Sequence, residues 1–369
     1  MKHLENILPH LPIKKVEGLI IAMSVLALTG LAAAGLQIIK IKPVLPAEAA
    51  ADSIIFATVT PAASTALVES QPAPPAAVVV NGETAPKIFA GANELGQIMV
   101  LEYHRLGYPE TRYQRSPDSF RADLRRLHAG GYYPVNFIDL LNGLKDVPAG
   151  KKPIVLTFDD SDISQFRMLD DNVIDGDSAV GIILNFYNEY PQDWPLKATF
   201  FILGDDTGDY MSVFGQPKWA KAKVKFLVTQ GMEIGSHTVN HTDLSVATSE
   251  RIYWELAISK HVIEEMIPGY TVQTLSVPYG GFPYTNEFLK AGEWGDYSYK
   301  YAGNVAAWGG PTVSPFADAF DPYHVNRVEV TDESFDHWLS HFEQNPQEYY
   351  VSDGNPAVIT IPKQAIAAE

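Results

Sequence analysis

A long apolar run lies near the N-terminus of the chain. Gly18–Ile39 comprises 22 residues without a charged side chain, and about 20 such residues are needed to cross the hydrocarbon core of a bilayer as a helix. The run therefore predicts a transmembrane anchor that follows a short cytoplasmic tail, residues 1–17, and leaves the rest of the chain outside the cell membrane. A secretory signal is the alternative, because Ala47 and Ala49 form an A-x-A site, and cleavage near Ala49 would release a secreted protein.

The segment that follows the apolar run has a different composition. Residues 43–94 are rich in Ala, Val, Pro, Ser and Thr and show neither a helical nor a strand period. This composition predicts a disordered, extended linker with a semi-rigid centre at Pro72–Pro75. From residue 95 to 369, short apolar runs alternate with amphipathic stretches. This pattern predicts a single folded body after the linker.

Seven runs in the folded body have the length and composition of buried strands. They are Gln97–Tyr103, Pro153–Phe158, Ala198–Leu203, Gly231–Gly235, Thr271–Val277, Val325–Val330 and Ala357–Ile361. Helical patterns lie between most of them, at Trp219–Thr229, Ser249–Ile267, Thr285–Lys290 and Glu333–Phe342, and another is predicted to begin at Ser116 and Pro117. Alternation of strands and helices implies a mostly parallel sheet, and about seven strands in this length favour a closed or nearly closed α/β barrel.

Composition and charge narrow the function. The 369 residues include no cysteine, which excludes disulfide frameworks, thiolate metal sites and a cysteine nucleophile. The 44 acidic residues outnumber the 27 basic ones, and the net charge of −17 repels phosphate backbones. Nucleic acid is therefore not expected as a partner, and any metal must be held by His, Asp or Glu.

Residues that can carry chemistry stand at strand ends. The apolar run that begins at Ile154 ends in Asp159 and Asp160, and His237 and His241 follow another predicted strand. On a helical turn this spacing places both imidazoles on one face, and two His with one Asp complete a three-ligand metal site. Such ligands suit zinc, with cobalt, nickel, iron and manganese as alternatives. One Asp can then bind the metal while the other takes a proton from water.

Three short motifs resemble those of the polysaccharide deacetylases, carbohydrate esterase family four. They are Thr157–Asp160, Ser236–His241 and Pro278–Gly280, in this order, and the resemblance extends over residues 97–362. It implies a distorted (β/α) barrel that removes acetyl groups from N-acetylated sugars.

Carried over position by position, the resemblance assigns a role to each matching residue. Asp159 would be the general base, and Tyr279 would donate its backbone N–H to the oxyanion. The metal would be held by Asp160, His237 and His241.

The sequence departs from the family pattern in two places. Ser276 stands where an Arg usually orients the base, and the late Leu-x-His motif that supplies the general acid is absent from residues 357–362. His104 and His324 are candidate replacements for the acid, and Arg327 is a candidate substitute for the missing guide. The sequence alone leaves all three open.

The predicted function is removal of N-acetyl groups from an extracellular polysaccharide that contains N-acetylglucosamine, such as peptidoglycan or an exopolysaccharide. The predicted anchor would hold the enzyme at the cell membrane, near such polymers. Two alternatives are a catalytically weak or inactive glycan-binding pseudoenzyme on the same fold, and hydrolysis of a non-sugar amide. An intact Asp159 argues against the pseudoenzyme, because a binding protein needs no base beside the metal ligands.

Overall fold

The computed structural model describes residues 91–169, 172–205, 207–208 and 210–362. The predicted anchor at Gly18–Ile39 and most of the predicted linker at residues 43–94 lie outside these ranges. Within them, no helix is both long enough and apolar enough to cross a membrane. The tail, the anchor and the cleavage site near Ala49 therefore stay predictions.

Twelve strands occur among the described residues. They are β1 (Val100–Tyr103), β2 (Arg105–Leu106), β3 (Gln114–Arg115), β4 (Tyr132–Val135), β5 (Lys152–Phe158), β6 (Thr199–Ile202), β7 (Glu233–Ser236), β8 (Thr274–Ser276), β9 (Ala291–Trp294), β10 (Tyr297–Lys300), β11 (Gly303–Gly309) and β12 (Val325–Glu329). Seven of them form a closed parallel barrel in the order β1, β12, β11, β8, β7, β6 and β5, and β5 pairs with β1 to close it. β4 pairs with the first half of β5, and the remaining strands form two small two-stranded sheets.

The predicted barrel of about seven parallel strands is confirmed, but one predicted member is wrong. Ala357–Ile361 forms no strand, and the backbone N–H of Glu94 donates to the carbonyl oxygen of Thr360 instead, at 2.8 Å. The seventh barrel strand is β11, which the sequence analysis did not identify. Its sequence, GNVAAWG, hides the strand because Gly and Ala have low strand propensity.

Seven α-helices are found in the described part of the chain. They are α1 (Pro117–Ala129), α2 (Phe137–Leu141), α3 (Ala179–Glu189), α4 (Ala220–Thr229), α5 (Ser249–Met266), α6 (Glu287–Lys290) and α7 (Asp332–Gln344). The predicted start of α1 is confirmed, since the hydroxyl of Ser116 accepts from the N–H of Ser119 at 3.1 Å and Pro117 occupies the first helical turn. The four other predicted helices correspond to α4, α5, α6 and α7, with ends shifted by one or two residues.

The barrel core explains where the functional residues gather. β1 and β6 are buried along their whole length, and Phe158 of β5 stacks between Tyr103 and Phe200, with ring centroids 5.3 and 4.8 Å away. Because all barrel strands run in the same direction, their carboxyl ends meet at one end of the barrel. Asp159 follows β5 and His237 follows β7 at this end.

The packed body begins before residue 95. Asn93 and Val351 exchange two backbone hydrogen bonds of 2.9 Å each. The buried carboxylate of Glu94 accepts from the Tyr350 hydroxyl at 3.3 Å and from the N–H groups of Asp353 and Thr360 at 3.2 and 2.8 Å, respectively. Asn93 and Glu94 were predicted to belong to the linker because no periodic pattern marks them. Their partners lie more than 250 residues away in sequence, so no local pattern could show the pairing.

We expect a chain that begins at Leu95 to be less stable than one that begins at Gly91. Removal of Glu94 leaves three donors without their acceptor, and each lost hydrogen bond costs about 1 kcal/mol, so the free energy of unfolding in urea should fall by roughly 2–4 kcal/mol. Glu94→Gln in the longer chain is the control, because it keeps one acceptor oxygen and should lose less. Equal free energies of unfolding for the two truncated chains would contradict this boundary.

Candidate active site

An open cleft of about 240 Å³ lies at the carboxyl end of the barrel strands. It is lined by residues from the strand ends and the following loops, namely Glu102, His104, Arg105, Arg112, Tyr113, Asp159, Asp160, His237, His241, Val277, Tyr279, Ala307, Trp308, Arg327 and Glu329. The residues that the sequence analysis singled out for the site are all in this set except His324.

The two carboxylates that follow β5, Asp159 and Asp160, lie in different surroundings. Asp159 is buried, and its N–H donates to the carbonyl oxygen of Tyr103 at 3.0 Å, which continues the pairing with β1. Asp160 and Ser161 have φ of 74° and 46°, so the chain leaves the strand through a left-handed conformation that is uncommon for residues with a side chain. Such conformations cluster at functional sites. Here the turn leaves Asp159 among buried groups and Asp160 at the cleft.

His237 and His241 lie in a loop, and the predicted helical turn is wrong. β7 ends at Ser236, and Thr238 and His241 have positive φ of 67° and 51°. The two rings nevertheless meet, with centroids 4.8 Å apart. Backbone turns, rather than the spacing of a helix, therefore bring the imidazoles together.

The donor set of Asp160, His237 and His241 fits one divalent metal ion. Tetrahedral ligands at about 2.0–2.1 Å from an ion lie about 3.3 Å from one another. Asp160 Oδ1 lies 3.3 Å from Nε2 of His237 and 3.3 Å from Nε2 of His241. Nδ1 of His237 is 2.9 Å from the carbonyl oxygen of Ser276, a contact that orients the ring with Nε2 toward Asp160.

Arg327 holds Asp159 in a forked ion pair. Its Nη1 donates to Oδ1 at 2.9 Å and its Nη2 to Oδ2 at 2.7 Å, while the hydroxyl of Ser276 donates to Oδ2 at 2.8 Å. Burial opposes ionisation of Asp159, but the charges of Arg327 and His237, together with hydrogen bonds from Arg327, outweigh it and hold the pKa well below its usual range. Asp159 is therefore ionised at neutral pH.

The guanidinium of Arg327 is completely enclosed and fully paired. Besides Asp159, it donates to the carbonyl oxygen of Ala306 at 2.5 Å, to Thr157 Oγ1 at 3.0 Å and to Glu102 Oε1 at 2.8 Å. A buried cation needs such complete pairing to offset the loss of its hydration. The structure thus places Arg327 against Asp159, and its role as a substitute guide stays a prediction.

Glu102 is a site residue that the sequence analysis missed. Its Oε1 pairs with Arg327 and lies 3.8 Å from His104 Nε2, while Oε2 has no hydrogen-bond partner among the described residues. Burial raises the pKa of Glu102 to about 8, although the Arg327 charge opposes the shift. Glu102, His104 and Asp159 have donor atoms close enough to hold a cation, and the guanidinium already supplies one there. A single acid in the apolar run of β1 was the available signal, because a buried acid needs a partner.

His104 lies at the cleft. The edge of its ring packs against Tyr113, with centroids 5.1 Å apart, and its donor nitrogen lies within 4.8 Å of carboxylate oxygens of Glu102 and Asp159. Burial lowers the pKa of His104, with the charges of Asp159 and Asp160 acting in the opposite direction. The structure therefore brings this candidate acid next to the candidate base.

His324 lies elsewhere. It precedes β12 instead of following a barrel strand, its side chain is exposed, and its ring stacks on Phe282 with centroids 4.3 Å apart. In a parallel barrel the start of a strand lies at the opposite end from the carboxyl edge, which is why a position just before a strand does not reach the cleft. His324 is not brought together with the other candidates.

Tyr279 lies in the tight turn Pro278–Gly280 that follows β8. It has φ of 58°, and its exposed ring packs edge-on against His241 with centroids 4.4 Å apart. A Cβ atom on Gly281 would lie 2.2 Å from Asp243 Oδ1, so the loop that carries His241 packs directly against this turn. Glycine at this position permits that approach.

Residues 146–297 match the family model described as polysaccharide deacetylase. The chain carries a polysaccharide deacetylase domain. The chain is also 25% identical over 241 residues to YxkH of Bacillus subtilis (strain 168), whose polysaccharide deacetylase name is provisional; the match covers 64% of this chain and 72% of YxkH. The family expected from the three motifs is thereby confirmed.

Solved structures of deacetylases are among the structures that this chain is similar to. A polysaccharide deacetylase from Bacillus cereus is 20% identical, with a TM-score of 0.50 over 67% of this chain and 69% of that one. The deacetylase PplD of Streptococcus pyogenes, solved in complex with acetate, is 20% identical, with a TM-score of 0.48 over 67% of this chain and 98% of that one. The first of these shows that the barrel is the same fold.

We expect Arg327→Met to destabilise the deacetylase domain strongly. The change leaves Asp159 and Glu102 buried without their counter-charge, and breaking a buried ion pair costs about 3–5 kcal/mol. Urea unfolding at neutral pH measures the loss. Arg112→Met is the matched control, because Arg112 pairs with Glu329 near the surface at 2.6 Å, and an exposed pair contributes less than about 1 kcal/mol. Similar losses in both variants would show that the buried pair has no special structural role.

Proposed function

We propose that this protein is a metal-dependent hydrolase that removes N-acetyl groups from a polysaccharide containing N-acetylglucosamine. One observation carries the proposal: ionised Asp159 lies in the same cleft as the donor set of Asp160, His237 and His241. A positioned base beside a three-ligand metal site is the arrangement that metal-assisted hydrolysis of an amide uses. The deacetylase family directs this chemistry to an acetamido group.

Asp159 is assigned as the general base. When bound, a divalent metal would polarise the acetamido carbonyl and lower the pKa of water at the site. Asp159 Oδ2 is 4.0 Å from His237 Nε2, so the carboxylate borders the donor set and can accept a proton from water there. Arg327 and Ser276 hold the carboxylate in one orientation, although their hydrogen bonds also make it a weaker base.

Tyr279 and His104 complete the proposed mechanism. The backbone N–H of Tyr279, in the turn beside His241, would donate to the oxyanion that develops on the acetamido oxygen. The amine must gain a proton before it leaves, and His104 is the imidazole that lines the cleft next to Asp159. Because burial lowers the pKa of His104, its protonated form is a stronger acid than a solvated imidazolium.

The substrate and the location are parts of the same proposal. Tyr113, Tyr279 and Trp308 expose aromatic rings at the cleft, and such rings suit the apolar faces of sugars. We assign peptidoglycan or an exopolysaccharide as the substrate class and zinc as the metal. Gly18–Ile39 would anchor the deacetylase with its catalytic domain outside the cell membrane, and cleavage near Ala49 would release it.

A catalytically weak or inactive glycan-binding protein is the second candidate. The hydrogen bonds to Asp159 favour this candidate. Both carboxylate oxygens already accept hydrogen bonds from Arg327, and Oδ2 also accepts one from Ser276. A carboxylate with so many donors has less affinity for another proton. The two candidates differ in whether the wild-type protein releases acetate.

Asp159→Asn should lower turnover by roughly 10²–10⁴, the range for loss of a positioned general base. The amide has nearly the same shape but cannot accept the proton of water, so metal content and glycan affinity should change little. Acetate release from N-acetylated glycans and bound metal are measured on one preparation. Ser276→Ala, which removes only one of the three hydrogen bonds to Asp159, is the control and should have a smaller effect.

Two results would contradict these roles. A wild-type protein that binds metal and glycan but releases no acetate supports the binding protein. Loss of metal together with turnover in Asp159→Asn would mean that Asp159, rather than Asp160, is the metal ligand.

His104→Ala and His324→Ala separate the two candidate acids. Removal of a general acid should lower kcat by roughly 10²–10⁴, and we expect this loss for His104 alone. His324 is exposed and outside the cleft, so its replacement should leave kcat within a factor of about two, since surface substitutions have small effects. Steady-state kinetics at saturating metal make the comparison. A large loss for His324 with none for His104 would reverse the assignment.

A further inference from the structure

The loop between the two histidines is held by a residue of a neighbouring helix. Glu255 of α5 is fully buried, and its Oε2 accepts from the backbone N–H groups of Val239 at 2.7 Å and Asn240 at 3.0 Å. Its Oε1 accepts from the hydroxyl of Thr242. One carboxylate therefore binds three groups of the segment that runs from His237 to Thr242.

This segment needs an external support. Thr238 and His241 have positive φ of 67° and 51°, and each such conformation costs on the order of 1–3 kcal/mol unless the surroundings impose it. No helix or strand covers the segment, so hydrogen bonds from outside it must fix its shape. A carboxylate that accepts two consecutive backbone N–H groups imposes such a turn more strongly than neutral acceptors do.

α5 supplies a second contact and a counter-charge. Ser259, one turn after Glu255, shares a hydrogen bond of 2.8 Å with the hydroxyl of Ser236, which itself accepts from the N–H of Thr238 at 3.2 Å. Arg251, one turn before Glu255, donates to Glu255 Oε1 from Nε at 3.0 Å and from Nη2 at 2.6 Å. Residues on one face of α5 thus form hydrogen bonds at both ends of the loop. The buried charge of Glu255 is paired with that of Arg251.

We propose that Glu255 is a positioning residue that sets the metal affinity of the Asp160, His237 and His241 site. The inference rests on the proposed metal-dependent function, since it concerns the same donor set. Glu255 touches neither the donor atoms nor the cleft. It acts through the loop backbone, and residues that orient metal ligands in this way alter metal affinity by about 10–100-fold when they are replaced.

The effect should fall mainly on His241. His237 directly follows β7, and its Nδ1 is also fixed by the carbonyl oxygen of Ser276 at 2.9 Å. His241 comes four residues later, after the segment that Glu255 holds. Loss of the carboxylate therefore frees one ligand while the other two remain near their positions.

The experiment is a titration of Zn²⁺ into metal-stripped wild-type protein and the Glu255→Gln variant, with the dissociation constant as the readout. The amide has the size of the carboxylate but no charge, and its nitrogen cannot accept from the loop. We expect the dissociation constant to rise about 10–100-fold. At saturating Zn²⁺, kcat should recover to near the wild-type value, because no group that contacts substrate has changed.

Glu264→Gln is the matched control. Glu264 lies on the same helix, pairs with Lys260 and accepts from the backbone N–H of Val272 at 3.0 Å, but it does not contact the histidine loop. It should lose stability without a change in the Zn²⁺ dissociation constant. Thr242→Val is a second test that leaves Glu255 in place and removes only one hydrogen bond; a severalfold rise in the dissociation constant is expected.

A folded Glu255→Gln variant with wild-type Zn²⁺ affinity overturns the inference and leaves the proposed function intact. Equal weakening by Glu264→Gln also overturns it, because the effect would then be general loss of stability. If Glu255→Gln does not fold, an unchanged affinity in Thr242→Val overturns it. Failure of the wild-type protein to bind Zn²⁺ refutes the proposed zinc site and this inference together.

Discussion

Burial of the Arg327 guanidinium is the constraint on which the rest of the site depends. A cation without water is tolerated only when every N–H direction meets an acceptor, and here the acceptors come from four other barrel strands or their ends. They are Glu102 on β1, Thr157 and Asp159 at the end of β5, Ser276 on β8 and Ala306 on β11. The hydrogen bonds that satisfy the cation also connect β12 to the four other barrel strands that provide the acceptors. The contacts that orient Asp159 are therefore also contacts that join the strands of the barrel.

The strands that carry Ser276 and Arg327 both reach Asp159. β8 and β12 both pair with β11, so side chains from their positions 276 and 327 can approach the same point. The small side chain of Ser276 leaves room for the guanidinium, to which it is joined by a hydrogen bond of 3.1 Å. A carboxylate such as Asp159 is held well by a guanidinium that donates two hydrogen bonds to it. In a parallel barrel, the Arg that supplies this guanidinium can lie on more than one strand.

The limits of prediction follow from the range of each interaction. The apolar runs of β1, β5, β6 and β7 and the amphipathic face of α5 are local patterns, and they were sufficient for the barrel. The three deacetylase motifs pointed to Asp159, Asp160, His237 and His241, which the structure brings into one cleft. The strand at Gly303–Gly309 was hidden by its small residues, while Ala357–Ile361 has strand composition but no open edge of the barrel to join. Glu102 and Glu255 were missed because their partners are distant in sequence, and a buried acid is understood only with its partners.

Charge balance connects the two halves of the site. Asp159, Asp160 and Glu102 present three carboxylates to the same region, and Arg327 is the one guanidinium buried among them in the described part of the chain. Burial raises the pKa of Glu102 to about 8, so at neutral pH the ionised carboxylates are mainly those of Asp159 and Asp160, and after pairing with Arg327 one negative charge is left, which a cation at Asp160, His237 and His241 would offset. The guanidinium and the metal position are therefore complementary. Arg327 places a positive charge on the buried side of Asp159, which disfavours a second cation there, so among the described residues the donor set of Asp160, His237 and His241 is the more favourable place for a metal.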